Sequence, residues 1–521
     1  MRKPSSKYAI ALTAALGLFM AVLDNTIVNV ALTPIATGLK ADLSSIQWVI
    51  TGYFLAQAAV IPISGYFSLR FGIKRLFILC LAFFTLGSLL CGLAQSETML
   101  IGFRIIQGLG GGALFPLANA IALQAFPPRE RAAASAVVGI PVLLAPAFGP
   151  TIGGLLTVNF GWEYIFFINV PVGFVAIFLA IRVFPADNLV AQSKKAFDYI
   201  GLSLSILGVL AVVYAFALVS ESDSSTITAA NPRGDIHGWG YPPVWILLIA
   251  GLALVAIFAI YEIYISKDPV LDLRLFKSYD FTVASIISWL SAIVVFGSLF
   301  MLPIFLEQVR VPHLSALDAG LALMPQGLAA AVAVGLGGKM YNRFGPRVLV
   351  MTGAVLLVFS SFMLTSLKPE SDGLFLMPWL IIRGLGFGMT AIPVQTLALM
   401  SLTGPALPKA SSLFNVTRQI FSSIGIAVLA SLFVQQSAQH GTDIGSQIAA
   451  GTLPRPTTAD AQALIVAQAG TSGMNDVFMF VTIGTVILLL VAVILPKKPH
   501  RAEGLSKEIE SHAEQPAMIM E

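Results

Sequence analysis

Along this chain, long uncharged apolar runs alternate with short stretches that are basic, polar or rich in Gly and Pro. About 20 apolar residues are needed to carry a helix across a bilayer. Runs of that length fall at 9–34, 46–68, 76–95, 98–122, 132–156, 163–184, 199–220 and 243–265, and then at 279–306, 317–340, 346–367, 374–400, 411–434 and 474–496. The pattern predicts an all-α polytopic membrane protein with fourteen transmembrane helices. Helices are favoured because lipid offers no partner to a bare N–H or C=O.

Most predicted loops are short. The exceptions are 221–242, which is polar with Gly and Pro, and 435–473, predicted as a long outer loop with amphipathic stretches such as 459–469. The charged tail after Pro496 is expected to be disordered. The expected organisation is an N-terminal six-helix bundle (1–185), two inserted helices with linkers (186–278), a C-terminal six-helix bundle (279–496) and a cytoplasmic tail (497–521).

Composition agrees. The chain is 57% hydrophobic and 11% charged, with a mean hydropathy of +0.87. Soluble domains are about a quarter charged, so a cytosolic enzyme or a nucleic-acid binder is disfavoured. The net charge of +4 is explained by topology. With the N-terminus inside, cytoplasmic segments carry 22 Lys and Arg and the outer segments 5, which places both termini in the cytoplasm. The basic N-terminus runs into its first apolar stretch without a cleavage site and is read as a retained helix. Cys80 and Cys91 share one span, about 16 Å apart along the helix, too far for a disulfide. All five histidines lie outside the predicted spans, which argues against a metal site or a His-dependent enzyme within the membrane.

The sequence also repeats itself weakly. The stretch 65–74, with Gly65, Arg70, Gly72 and Lys74, matches 338–347 at an offset of 273. Gln107-Gly-Leu-Gly returns as Arg383-Gly-Leu-Gly at 276, and Pro34 corresponds to Pro303 at 269. Two related halves place a substrate path at their interface, worked by alternating access.

Several motifs follow in order along the chain: Leu23-Asp24-Asn25-Thr-Ile-Val-Asn29 in span 1, the basic loop from Gly65 through Arg75, and Arg104-Ile-Ile-Gln107-Gly-Leu-Gly in span 4. Together they resemble the major facilitator superfamily, and within it the 14-span drug:proton antiporters of the QacA/EmrB type. Gly139-Ile-Pro141 through Gly149-Pro150-Thr-Ile-Gly153-Gly154 in span 5 is similar to the antiporter motif, and Trp162 through Asn169, Pro171 and Gly173 follows. Leu69 stands where the basic loop commonly carries an acidic or polar residue, Glu163 where Arg is common and Glu307 where Gln is common. The resemblance implies a major facilitator fold, proton-coupled export of amphipathic compounds, and no cofactor beyond the proton gradient.

Candidate site residues follow from where charge meets hydrocarbon. Asp24 lies about 22 Å along span 1 from its inner end. A carboxylate there costs about 2.5–3.5 kcal/mol, so it should face a cavity or a partner. It is expected either to carry protons or, more plainly, to cap backbone near a kink. Arg104 lies at a matching depth, so an ion pair is geometrically open; its plainer role is to tie helices together. A close guanidinium would keep Asp24 ionised, so a state-dependent contact is expected if Asp24 cycles a proton. Glu307 is a candidate entrance charge, and Asn25, Asn29, Gln57, Gln107 and Arg383 are candidate cavity residues. Asp318 is read as part of a helix cap with Ser315, and Glu262 as solvated.

In span 5, Ala145, Gly149 and Gly153 form a small-residue stripe, and Pro141, Pro146 and Pro150 permit bending. That stripe is expected to meet Gly327, Ala331 and Gly335 of span 10 in an outer seal between the halves, or simply to pack tightly. Gly65, Arg70, Gly72, Lys74 and Arg75 are read as a topology anchor whose contacts differ between states. The expected partners are an amphipathic small molecule, protons and the bilayer of the cell membrane. A periplasmic adaptor is left open. The alternatives are an uptake symporter and a lipid-modifying membrane enzyme; the latter would want clustered acids and histidines that the spans lack.

Overall fold

The computed structural model describes residues 6–41, 43–127, 130–187, 198–220, 237–266, 269–400, 402, 406–453 and 459–497. The expected C-terminal tail lies almost wholly outside these residues. Among them every regular element is helical. The first half holds α1 (Lys7–Leu39), α2 (Leu43–Phe71), α3 (Ile73–Gly92), α4 (Glu97–Ala125), α5 (Arg131–Asn159), and α6 and α7 (Tyr164–Phe167 and Asn169–Val183). Then come α8 (Tyr199–Ser220) and α9 (Pro242–Tyr264). The second half holds α10 (Tyr279–Ser291), α11 (Gly297–Ile304), α12 (Ala316–Met363), α13 (Gly373–Met400), α14 (Ala406–Ala449) and α15 (Ala459–Ala492).

Twelve described helices are long and apolar enough to cross a membrane. The fourteen predicted runs differ from this count at two places. In α5 the side chains at 143, 146, 147 and 150 lie outside the described residues, so only Arg131–Val142 of that helix counts as a described apolar stretch. In α12 two predicted runs join in one element that breaks at Gly345, whose φ of 76° only glycine adopts without strain. The Ser315–Asp318 cap is present: the Ser315 hydroxyl accepts from the Asp318 N–H at 3.1 Å.

The predicted outer loop 435–473 is instead mostly helix. α14 continues through Ala449 and α15 starts at Ala459. The two extensions pack on each other: His440 pairs with Asp476 at 2.7 Å, and a methyl group on Gly473 would stand 2.7 Å from the Ser437 nitrogen. Polar residues end an apolar run but do not end a helix when a second helix covers one face.

The sequence repeat is a repeat of packing. A methyl group on Gly112 of α4 would lie 2.5 Å from the Gln57 carbonyl of α2, and one on Gly388 of α13 would lie 2.5 Å from the Ala330 carbonyl of α12. Gly110 likewise abuts the Cys80 carbonyl at 2.5 Å and Gly386 the Gly353 carbonyl at 2.8 Å. These are the same two crossings, built twice. Each needs glycine because helix backbones touch there.

α8 and α9 pack on one another through Gly208 and Gly251. Val209 and Val213 of α8 lie in one apolar cluster with Ala58 and Ile61 of α2 and Val416 of α14, so α8 bridges the two halves on one side. Glu262, near the end of α9, is not solvated as expected but 2% exposed. One of its oxygens accepts from the Val270 N–H at 2.9 Å, because the chain folds back over it on the way to α10.

Candidate functional site

Asp24 on α1 is completely buried, and its carboxylate is held by three side chains of the same half. Arg104 Nη1 of α4 donates to Oδ2 at 2.5 Å. Gln107, one turn along α4 and therefore on the same face, donates to Oδ1 at 2.9 Å. Asn169, the first residue of α7, donates to Oδ1 at 2.8 Å. Arg104 also donates to the Val49 carbonyl at 3.2 Å and to Gln107 Oε1 at 2.8 Å, and its guanidinium lies over the Tyr53 ring at 3.9 Å. Ser88 accepts from Asn169 at 3.1 Å and donates to the Phe166 carbonyl at 2.9 Å.

The sequence placed Asp24, Arg104 and Gln107 as candidates, and the structure joins them. It did not single out Asn169, Tyr53 or Ser88 as their partners. Asn169 lies in a quoted motif, but only the turn between α6 and α7 brings it to α1. The site is a closed ionic knot inside one half, walled by Leu23, Ile27, Leu100 and Phe166. Asp24 therefore faces a partner and not a cavity in this conformation. The energetic logic is strict: a buried carboxylate is tolerated only when paired and fully hydrogen-bonded.

The remaining candidates separate. Asn25 and Gln57 are half-buried, and Asn25 Oδ1 has no hydrogen-bond partner among the described residues. The Asn29 side chain lies outside the described residues, as do those of Pro146 and Pro150. Glu307 is half-buried in a π-helical turn (Phe305–Val309) at the end of span 9. Arg383 is completely buried in the second half; it donates to Ser361 Oγ at 3.1 Å and to Ser298 Oγ. It occupies the place of Gln107 in the repeat.

The small residues of α5 divide between two faces, contrary to expectation. Gly149 and Gly153 pack on α1, where a methyl on Gly149 would collide with Thr26 and one on Gly153 would lie 3.1 Å from the Ile27 carbonyl. The seam with α12 uses other positions. A methyl on Gly139, with half-buried Pro141 beside it, would lie 2.6 Å from Ile392 of α13 and 3.5 Å from Val334 of α12, and one on Gly154 would lie 3.6 Å from Leu317. A methyl on Gly338 of α12 would lie 2.9 Å from Ala136 Cβ and 3.1 Å from the Ala132 carbonyl, a backbone-level approach of the two helices. That point lies at the end assigned to the cytoplasm, not at the expected outer seal. Helix pitch decides this: residues spaced by four share a face, and that face points to α1.

Other contacts seal the same end. Ser412 of α14 donates to the Ile61 and Pro62 carbonyls of α2 at 2.6 and 3.0 Å, and Ser411 to the Pro116 carbonyl at 3.0 Å. Arg131 of α5 donates to the carbonyls of Leu399, Met400 and Leu402 at 3.1, 2.7 and 2.6 Å, at the end of α13. Gly65 from the basic loop motif sits in this seal: a methyl there would lie 2.8 Å from the Pro408 carbonyl and 3.0 Å from Lys409 Cα. Gly72 has φ 92° and receives the Asp187 carboxylate, which accepts from the Lys74 and Arg75 N–H groups at 2.9 and 3.2 Å. An anion thus covers the first N–H groups of α3. Arg70 is half-buried and Arg75 exposed.

Comparison with known proteins accords with this architecture. Residues 14–426 match the model of the Major Facilitator Superfamily. The chain is 34% identical over 497 residues to a multidrug resistance protein B homolog of Mycobacterium tuberculosis, covering 92% of this chain and 88% of that protein. It is 31% identical over 513 residues to the fatty acid resistance protein FarB of Neisseria gonorrhoeae, covering 95% and 97%. The solved structure of the proton:xylose symporter XylE superposes with a TM-score of 0.58 at 13% identity, covering 95% and 97%, a likeness of fold alone. A chain built as two related helical halves with these relatives is a multi-pass transporter of the cell membrane, not an enzyme; it belongs to the Major Facilitator Superfamily and, within it, to the drug:proton antiporter family.

Proposed function

We propose that this chain exports amphipathic, drug-like compounds in exchange for protons by alternating access, with the proton gradient as its only source of energy and no cofactor. The observation that carries this reading is the seal of α2 on α14 and of α5 on α12 and α13. Polar and small residues close the two halves at one end, through hydrogen bonds that can be exchanged for water when that end opens. Relatives named for multidrug resistance and fatty acid resistance support the export direction over uptake.

Asp24 is the proposed proton carrier, and Arg104 its switch. While the guanidinium is in contact, the carboxylate stays ionised. Loading a proton requires the pair to part, and among the described residues the side-chain donors to Asp24 lie on α4 and α7, so a shift of α1 against those helices suffices. Each proton moving inward contributes about 2.3 kcal/mol per 100 mV of membrane potential when the substrate is neutral. Glu307 is proposed as an entrance charge. The test uses everted vesicles with an imposed pH gradient and ethidium as probe. Wild type is expected to move ethidium uphill, whereas Asp24→Asn should only equilibrate it. An Asp24→Asn variant with full proton coupling would remove Asp24 from the mechanism, and uphill movement in the uptake direction would replace antiport by symport.

A further inference from the structure

Arg418 of α14 was not among the residues that the sequence singled out. Its guanidinium lies over the ring of Phe115 on α4 at 4.4 Å, so the side chain reaches from one half to the other. Both side chains are half-buried where α4 of one half meets α14 of the other. One turn along the same face of α14, Phe421 stacks on Trp289 of α10, with centroids 4.8 Å apart and planes 10° apart. The Trp289 Nε1 has no hydrogen-bond partner among the described residues. One strip thus carries a guanidinium, a buried indole N–H without a partner among the described residues, and three aromatic rings.

The charge balance around that strip is one-sided. Arg104 is neutralised by Asp24. Arg383 is buried against two serine hydroxyls. Among the described residues, no carboxylate lies within ion-pair distance of Arg383 or Arg418. Two guanidiniums within the helical bundle therefore have no carboxylate partner among the described residues, and Arg418 is the half-buried one, at the contact between the halves. In low dielectric an unpaired cation is costly and like charges repel strongly. A guanidinium stacked on a ring still presents its N–H edge, which suits a planar anion.

We propose that Arg418 is the anion-recognising residue of the transport site, and that the substrates this chain exports best are amphipathic anions. Their carboxylate or sulfonate head meets Arg418 while the apolar body lies along Phe115, Phe421 and Trp289. The proposal rests on the export reading above and narrows its substrate class.

The test compares two dyes in everted vesicles under one pH gradient: the permanently anionic anilinonaphthalene sulfonate and the cation ethidium. Wild type is expected to move the sulfonate faster. Arg418→Gln should slow the sulfonate at least about tenfold, the loss expected when a charge-assisted hydrogen bond is removed. The same variant should slow the sulfonate far more than ethidium, so that the ratio of the two rates falls at least about tenfold, and Arg418→Lys should keep part of the sulfonate rate. Equilibrium binding of the sulfonate to purified wild-type protein, with ethidium as competitor, reads the same preference without any variant. Ethidium transported or bound in preference to the sulfonate, or sulfonate transport unaltered by Arg418→Gln, overturns the proposal and leaves export standing. If wild type moves neither dye uphill, both the proposal and the export reading fall.

Discussion

Lys74 and Arg347 do the same work 273 residues apart. Lys74 Nζ donates to the carbonyls of Ile181 and Phe184 at 2.9 and 2.7 Å, at the end of α7, and Arg347 Nε donates to the carbonyl of Leu495 just beyond α15. In each half the basic loop after the second span fastens the end of the last helix, where bare carbonyls and the helix dipole favour a cation. The topology reading of these loops is therefore incomplete, since their charges also close each bundle upon itself.

Replacing Lys74 by Met should remove that fastening. Lys74 is only half-buried, so screening keeps the expected loss to about 1 kcal/mol. Thermal unfolding in detergent should show a small drop for Lys74→Met and nearly none for Lys74→Arg.

The Asp24–Arg104 pair predicts strong non-additivity. Losing one member leaves a buried charge unpaired, at about 3–5 kcal/mol. Asp24→Ala and Arg104→Ala should each destabilise by that order. The double variant should lose clearly less than the sum, as contacting residues do. A double-mutant cycle by denaturant unfolding that sums within about 0.5 kcal/mol would mean that the two do not interact.

Gly149 gives a test of which helix α5 faces. Gly149→Ala should destabilise by about 1–3 kcal/mol through overpacking, because the new methyl strikes Thr26. Thr26→Ala in the same chain removes the nearest atom but leaves Cβ 2.6 Å away, so it should restore only part of the stability. Rescue by a change in α12 instead would place the stripe between the halves.

Gly65→Val should pry open the inner seal, since the side chain would meet the Pro408 carbonyl and Lys409. Ser412 is completely buried in that seal. In a Ser412→Cys background, Gly65→Val is expected to raise labelling by a maleimide added from the cytoplasmic side several-fold. Unchanged labelling would show that α2 and α14 do not set access there.

Glu262→Ala should cost about 1–3 kcal/mol, because the Val270 N–H would lose its buried acceptor. Glu262→Gln keeps a carbonyl oxygen for that bond and should lose far less. The two variants are separated by unfolding midpoint in detergent.

Particular residues show how far the sequence could be read. Asp24, Arg104 and Gln107 were legible because a charge in hydrocarbon has few excuses, and because an i, i+3 spacing puts two polar groups on one helix face. Asn169 was not, since it comes to Asp24 through a turn between α6 and α7 whose direction no periodicity encodes. Glu262 was misjudged for the reverse reason. Its place near a helix end looked wet, but the chain beyond α9 returns to cover it. The helical extensions of α14 and α15 were missed because hydropathy reports where apolar residues stop, not where hydrogen-bonded helix stops.

By itself the sequence determined the membrane class, the helical segments, the repeat and the charged residues that needed partners, because insolubility of backbone and charge in lipid acts on each segment separately. Only the tertiary structure decided which face of α5 meets α1, that Asp24 is knotted within one half, that the halves are sealed at the end assigned to the cytoplasm, and that Arg418 reaches from one half to Phe115 of the other. Those outcomes depend on helix rotation and crossing, and they are fixed by the simultaneous packing of many helices whose individual sequences carry no record of their neighbours.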